Sequence, residues 1–281
     1  MEKSKNIDSL SEVLNSLKKL NHRPKRKLGQ NFLVDENILN FIVDSSIISE
    51  QDNIVEIGPG LGALTQKILV KSNSLLCIEK DKKMYSFLKN RFPKLKIINK
   101  DVLKINPNEL FYQNSYKIIS NLPYSVASRI IIMFAESNNS PSSMTLTIQK
   151  EVAERLVASP NSKEYGVLSI LVSNFYDIKI LKNISPKCFF PSPKVFSSIV
   201  FLKKRNTPLV DEEIFLIFKK IVKYSFTQRR KQLRTSLKNL GLKDLENSFM
   251  NATFSLKDRP ENLSINQWVE ISMNYKNQDL L

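Results

Sequence analysis

Asn53-Ile54-Val55-Glu56-Ile57-Gly58-Pro59-Gly60-Leu61-Gly62-Ala63-Leu64-Thr65 decides the fold. Its first five residues are an apolar run of strand type, the glycines break that run, and Ala63 to Leu69 continues at helical periodicity: strand, tight turn, helix. Glycines at 58, 60 and 62 let the backbone take φ values closed to other residues and let a ligand approach with no Cβ in the way. Outward from this turn, a second apolar strand, Leu75 to Ile78, ends at Glu79, twenty-one residues after Gly58. A carboxylate so placed suits the hydroxyls of a ribose. The turn reads G-x-G-x-G where a dinucleotide site wants G-x-G-x-x-G, and Glu56 stands just before it, which argues against a pyrophosphate. S-adenosylmethionine fits better.

A third acid, Asp101, follows the strand-like Lys96 to Asn99, where it can accept a hydrogen bond from an adenine amine; a lone Asp there is usually a turn former. Its weight comes from order. Gly58, Glu79, Asp101 and Asn121 each stand at the carboxyl end of one of four successive strands, the edge at which open α/β sheets bind ligands. Asn121 opens Asn121-Leu122-Pro123-Tyr124, and this loop with the glycine turn describes methyl transfer to a nucleobase amine. The adenine N6 amine is a poor nucleophile because its lone pair is delocalised into the ring. The Asn121 oxygen and a main-chain carbonyl beside Pro123 can accept its two hydrogens, while Tyr124 offers a flat face to an extruded base. Proline fixes φ and helps aim that carbonyl.

Gly29-Gln30-Asn31-Phe32-Leu33, Glu56 to Thr65, Asn121 to Tyr124, Phe189-Phe190-Pro191-Ser192-Pro193-Lys194-Val195 and Gln228-Arg229-Arg230-Lys231 together closely resemble the rRNA adenine N6,N6-dimethyltransferases, nearest to their small-subunit (16S) branch. The resemblance runs from about Lys25 to about Trp268. It implies cofactor contacts at Asn31, Leu33, Gly58, Gly60, Glu79, Asp101 and Asn121, with S-adenosylmethionine as cofactor and no metal. The substrate it implies is a pair of adjacent adenines in the last hairpin of 16S rRNA, in the 30S subunit or its precursor, each dimethylated. Around the reacting base it implies Asn121, Leu122, Pro123 and Tyr124, with Phe189 across from Tyr124, each stacking contact worth ~1–3 kcal/mol; Phe190 is assigned to core or rim packing. The fold expected is α/β, a Rossmann-like class I S-adenosylmethionine-dependent methyltransferase sheet of seven strands with an antiparallel last hairpin, plus a smaller C-terminal all-α domain. Three other readings stay open: a 23S rRNA adenine methyltransferase of the macrolide-resistance type, a ribosome-assembly factor whose binding matters more than its chemistry, and a DNA adenine methyltransferase. The last is weakened by Leu122 in place of a first proline.

Composition agrees. The chain has 281 residues, 42% of them hydrophobic, and a formal net charge of +16. Residues 1–30 carry eight Lys/Arg against three Asp/Glu, and residues 203–243 carry twelve against three. Two basic segments flanking a base-binding loop point to a phosphate-tracking surface; the residues assigned to RNA are Arg23, Lys25, Arg26, Lys27, Arg229, Arg230, Lys231 and Arg234. No apolar run approaches a membrane span and no signal-peptide core is present, so a cytoplasmic location is expected; the assembly state expected is a monomer. Cys77 and Cys188 lack metal-site spacing and read as inert thiols. One histidine, His22, excludes Ser-His, Cys-His and multi-histidine metal chemistry; it reads as solvent-exposed or RNA-facing.

The domain boundaries expected are 1–24 for an N-terminal helical extension, 25–205 for the catalytic domain and 206–281 for a helical rRNA-docking domain. In the first, Leu10, Val13, Leu14, Leu17 and Leu20 form one helical stripe. Asp35 reads as an N-cap, Arg229 to Leu240 as a helix stopped by Gly241, and Ser264 to Gln267 as a capping box.

Overall fold

The computed structural model describes residues 9–25, 28–112 and 114–279. In chain order they form α1 (Leu10–Lys19), β1 (Phe32–Leu33), α2 (Glu36–Ser45), β2 (Asn53–Ile57), α3 (Ala63–Leu69), β3 (Ser74–Ile78), α4 (Lys82–Arg91), β4 (Lys96–Ile98) and β5 (Tyr116–Asn121). Then come α5 (Ala127–Ala135), β6 (Ser143–Gln149), α6 (Lys150–Leu156), α7 (Val167–Ser173), β7 (Tyr176–Ile184), β8 (Phe189–Phe190) and β9 (Ser197–Lys204). The C-terminal helices are α8 (Glu212–Thr227), α9 (Leu233–Asn239), α10 (Leu245–Ser248) and α11 (Ile265–Asp279). Two compact units result, one from residues 1–153 and 177–204, the other from 154–176 and 205–281.

The first unit holds a seven-stranded sheet in the order β4-β3-β2-β5-β6-β9-β7. β2 runs parallel to β3 and β5, β3 to β4, and β5 to β6, while β9 is antiparallel to β6, from Ser143↔Lys203 to Gln149↔Ser197. Central strands buried on both faces need continuous apolar runs, which β2 supplies in Ile54, Val55 and Ile57. The order doubles back between β2 and β5, so a crevice opens at the carboxyl ends of these strands. Asp35 caps α2 by accepting from the Ile38 N–H at 3.1 Å. Asp81 caps α4 by accepting from Lys83 at 2.9 Å. α3 starts at Gly62, whose φ of 88° is left-handed; a Cβ there would lie 2.9 Å from both Leu88 and Phe92.

A second ladder is two residues long: β1 pairs antiparallel with β8, Phe32↔Phe190 and Leu33↔Phe189. Neither segment reads as a strand in the sequence, because two residues are too few to show an alternation. α1 belongs to this unit. Val13 and Leu17 pack with Phe32, Leu61 and Met84, so α1 joins the core of the sheet unit and, over its described residues, is not a separate extension. Of the expected stripe, Leu10 and Leu14 stay 46% and 43% exposed, while Val13, Leu17 and Leu20 form the line that packs into the cluster.

The second unit is helical. α8 buries Ile214, Phe218, Ile221 and Val222 around Trp268. Residues 154–176 group with this unit and not with the sheet, a correction to the expected boundary. The cause is packing: Tyr165, Ile170 and Leu171 lie in the helical core, and the Tyr165 hydroxyl donates to the Leu263 carbonyl at 2.8 Å. Gln228 to Lys231 is a turn, and the helix that follows starts only at Leu233. Gly241, at φ 94°, ends that helix. Ser264 and Gln267 form the capping box: the Ser264 N–H donates to the Gln267 side chain at 2.8 Å, and the Gln267 N–H to Ser264 Oγ at 3.4 Å.

Candidate active site

The carboxyl ends of β2 to β5 open into a cavity of about 460 Å³ within the first unit. Asn31, Leu33, Gly58, Gly60, Glu79, Asp101 and Asn121, every residue assigned to the cofactor, line it together with Pro123. Gly60 is where close approach matters. Its φ is 59°, and a Cβ would sit 3.0 Å from the Phe32 ring, so the turn hugs β1 with nothing between. Gly29, at φ 64°, brings the N-terminal loop against the Pro123-Tyr124 backbone, where a Cβ would meet the Tyr124 nitrogen at 3.3 Å.

Three carboxylates give the cavity its electrostatics. Glu79, 6% exposed, accepts from the Gly60 N–H at 3.1 Å through Oε2 and from the Asp81 N–H at 2.7 Å through Oε1. Burial pushes its pKa up, against the pull of these amides. Glu56 is more buried, and its Oε2 accepts from the Thr65 hydroxyl at 2.6 Å; burial raises its pKa to about 7. Asp101 behaves oppositely. Its hydrogen bond from Lys80 Nζ, at 2.9 Å, holds its pKa below the usual carboxylate value, and its other oxygen caps a short 3-10 turn at Leu103.

Asn121 ends β5, and its Nδ2 donates to the Asn31 carbonyl at 2.9 Å. A carbonyl partner identifies that end of the amide as nitrogen, so the other end is the acceptor Oδ1. Oδ1 is buried and has no hydrogen-bond partner. A buried acceptor left open costs about 1–3 kcal/mol, so it calls for an explanation. Next in the loop, the Leu122 N–H extends the ladder to the Thr147 carbonyl at 3.0 Å, and the Leu122 side chain is core. Leu122 thus holds the loop to β6 through its backbone, and its side chain does not line the cavity. Pro123 has φ −61°. Tyr124, half-buried, shares a 2.6 Å hydrogen bond with Ser197 Oγ. Burial raises its pKa, so at neutral pH the phenol keeps its proton.

Phe189 departs from expectation. It is 3% exposed and packs among Leu33, Ile38, Ile184 and Ile199, away from the cavity lining. In the β1–β8 ladder Phe189 stands opposite Leu33 and shares its core cluster, but of the two only Leu33 also reaches the cavity. Phe190 packs with the Val13–Phe32 cluster at the core margin.

His22 also departs. It is 7% exposed, with Nε2 3.1 Å from Gln30 Oε1, because the end of α1 folds it under the Gly29-Gln30 loop. Among the cations assigned to RNA, Arg26 and Lys27 lie outside the described residues. Lys25 pairs with buried Asp81 at 2.8 Å. Arg229 pairs with Glu261 at 2.6 Å and donates to the Lys163 carbonyl, and Arg234 pairs with Glu246. Arg23, Arg230 and Lys231 are exposed. Sequence reasoning missed Ser197, which carries no local signal, and the apolar cavity wall at Val102 and Leu103, which the apolar pair after Asp101 could have revealed.

Residues 21–277 match the family model described as ribosomal RNA adenine dimethylase. The chain belongs to the ribosomal RNA adenine dimethylase family. Among its curated relatives is a ribosomal RNA small subunit methyltransferase A of Clostridium botulinum (strain Okra / Type B1), 40% identical over 88% of this chain and 92% of the relative. Another, of the same description, is from Alkaliphilus oremlandii (strain OhILAs), 40% identical over 91% of each. The fold is shared with a dimethyladenosine transferase from Plasmodium falciparum, at TM-score 0.73 and 24% identity over 88% of this chain and 98% of that one. It is shared also with the 23S rRNA methyltransferase ErmE, at TM-score 0.67 and 20% identity over 88% and 100%. The chain is accordingly an S-adenosylmethionine-dependent methyltransferase of the class I fold. The cavity fits that cofactor: a glycine wall without Cβ atoms and a buried carboxylate at the end of β3. Among the described residues, no helix is long and apolar enough to cross a membrane.

Proposed function

We propose that this dimethylase acts on the N6 amines of two adjacent adenines in the 3′-terminal hairpin of 16S rRNA, in the 30S subunit or its precursor, as a monomer in the cytoplasm. The observation that carries the reading is the unpaired, buried Oδ1 of Asn121 at the cavity wall. An amine with two hydrogens supplies the missing donor.

S-adenosylmethionine, when bound, supplies an electrophilic methyl group on a good leaving group. Glu79 would hold its ribose hydroxyls and Asp101 its adenine amine; Asn31, Leu33, Gly58 and Gly60 would flank it. For the substrate, Asn121 Oδ1 accepts one N6 hydrogen and a carbonyl beside Pro123 the other, which draws the nitrogen toward a tetrahedral, more nucleophilic form. Tyr124 gives the extruded base its stacking face. The rate comes from orientation and from these fixed acceptors, so no strong base is needed. The amine proton becomes acidic once the nitrogen is methylated and passes to solvent. Exposed Arg23, Arg230 and Lys231 supply phosphate contacts. Phe189 joins the base only by leaving its core packing.

The 23S reading shares the same loop, and a DNA reading lacks a target-recognition domain. The test is to incubate unmethylated 30S subunits with the chain and labelled S-adenosylmethionine and map the modified positions. Dimethylation at two neighbouring adenines near the 16S 3′ end is expected. Label elsewhere in 16S, or none, refutes the substrate assignment.

A further inference from the structure

Tyr124 follows directly on the base-holding loop, yet its hydroxyl does not point into bulk solvent. It meets Ser197 Oγ at 2.6 Å, and Ser197 is fully buried at the start of β9. Ser197 is itself rigidly placed. It stands opposite Gln149 in the β6–β9 ladder, and the carbonyl of its neighbour Phe196 accepts from the Lys150 N–H at 2.9 Å. The hydrogen bond therefore joins two elements far apart in sequence: the loop that presents the base-binding groups and the antiparallel strand on the far side of β6.

We infer that Ser197 is a positioning residue for base recognition: its hydroxyl tethers the Tyr124 phenol and fixes where the ring stands beside the target adenine. The inference deepens the substrate reading and rests on it. A tyrosine ring turns about two side-chain bonds, and stacking is productive only when the ring plane lies parallel to a base whose amine is already held by Asn121. The phenol oxygen lies on the axis of the second bond, so holding it fixes the first of these freedoms, the direction of the ring axis and with it the ring's place beside the base, and leaves the tilt of the ring plane to its packing. The tie also assigns the phenol its role. A hydroxyl engaged at 2.6 Å, with its pKa raised by burial, is a structural donor or acceptor and not the base that collects the amine proton. Leu122 contributes from the other side, since its N–H bond to Thr147 anchors the loop to β6, the strand that also carries β9. The loop is thus pinned at its backbone through β6 and at its aromatic tip through β9.

The test is a double-mutant cycle on the full chain with Ser197→Ala, Tyr124→Phe and the double variant, and Ser197→Thr as the conservative control. Methyl transfer to unmethylated 30S subunits is followed by kcat and KM, with S-adenosylmethionine affinity measured separately by calorimetry. Each single variant should lose roughly two- to tenfold in kcat/KM for the subunit, as expected for one net hydrogen bond. The double variant should be no worse than either single one, Ser197→Thr should restore the loss, and cofactor affinity should stay within about twofold of wild type. Additive losses, a wild-type rate for Ser197→Ala, or an equal loss in cofactor affinity would overturn the tether. Tyr124→Phe leaves the buried serine in place, so it reads the bond even if Ser197→Ala lowers the melting temperature. The wild-type arm is separate: failure to modify 30S subunits refutes the substrate assignment, and the cycle is then run on whichever RNA the wild type methylates.

Discussion

Replacing Asn121 by alanine should separate activity from stability. In the folded chain its Nδ2 donates to the Asn31 carbonyl at 2.9 Å, while Oδ1 is buried without a partner. The substitution removes one part-buried hydrogen bond, worth about 1 kcal/mol, and leaves the Asn31 carbonyl to be hydrated. It also removes an unsatisfied acceptor whose burial costs about 1–3 kcal/mol. These effects oppose each other at similar size, so the melting temperature should hardly move. Catalysis has no such offset: loss of one preorganised group at a reacting centre costs about 10²–10³ in kcat. Single-turnover methyl transfer to unmethylated 30S subunits, which bypasses product release, measures that loss, and differential scanning calorimetry measures stability. Asn121→Asp sharpens the comparison, since it keeps an acceptor but sets a carboxyl oxygen against the Asn31 carbonyl. That pair is tolerable only with a proton between them, so its activity should rise as pH falls. A transfer rate for Asn121→Ala within tenfold of wild type, or a loss of activity matched by a collapse in stability, would refute the reasoning.

Glu56 predicts a pH effect. Its pKa in the folded chain is about 7 against 4.5 for an ordinary glutamate, so the folded state retains a proton that the unfolded chain releases. Its contribution is therefore fully present below about pH 4.5, falls as pH rises, and is lost above about pH 7. Glu56→Gln should gain melting temperature relative to wild type across that window, and parallel curves would exclude the effect. Gly62→Ala, with its Cβ 2.9 Å from Leu88 and Phe92 at a φ of 88°, should cost roughly 1–3 kcal/mol in denaturant unfolding. Arg229→Ala breaks the Glu261 pair and a carbonyl contact, so its main effect should be on stability, about 1.5–3 kcal/mol. Arg230→Ala or Lys231→Ala should instead weaken RNA binding and reduce its log-salt slope by roughly one, read by filter binding over a salt series. A reversed pattern would mean that the roles of these neighbours are exchanged.

The sheet was legible because its central strands are buried on both faces and so spell continuous apolar runs, punctuated by glycine and by capping residues such as Asp35. The cofactor wall was legible for a related reason: in a parallel sheet the polar residue that ends each strand falls at one edge, so Glu79, Asp101 and Asn121 meet in space although twenty or so residues separate each from the next. What escaped depends on pairing between distant segments. Nothing local in Phe32-Leu33 or Phe189-Phe190 announces a two-residue ladder, nor that Phe189 packs among Ile38, Ile184 and Ile199, residues far from it in sequence or on other elements. His22 reads as polar and exposed until Gln30 folds over it. The basic motif at Gln228 to Lys231 looks uniform in charge, but Glu261 engages Arg229 and leaves Arg230 and Lys231 facing outward. Ser197 is one hydroxyl among many until the antiparallel return of β9 sets it beside Tyr124.

The most direct measurement is methyl transfer from labelled S-adenosylmethionine to unmethylated 30S subunits, 50S subunits and duplex DNA in parallel, with modified nucleosides identified by mass spectrometry. Dimethyladenosine confined to the 30S sample is the predicted result. Label in the 50S or DNA sample, or cofactor binding with no methyl group transferred to any of the three, would contradict the account.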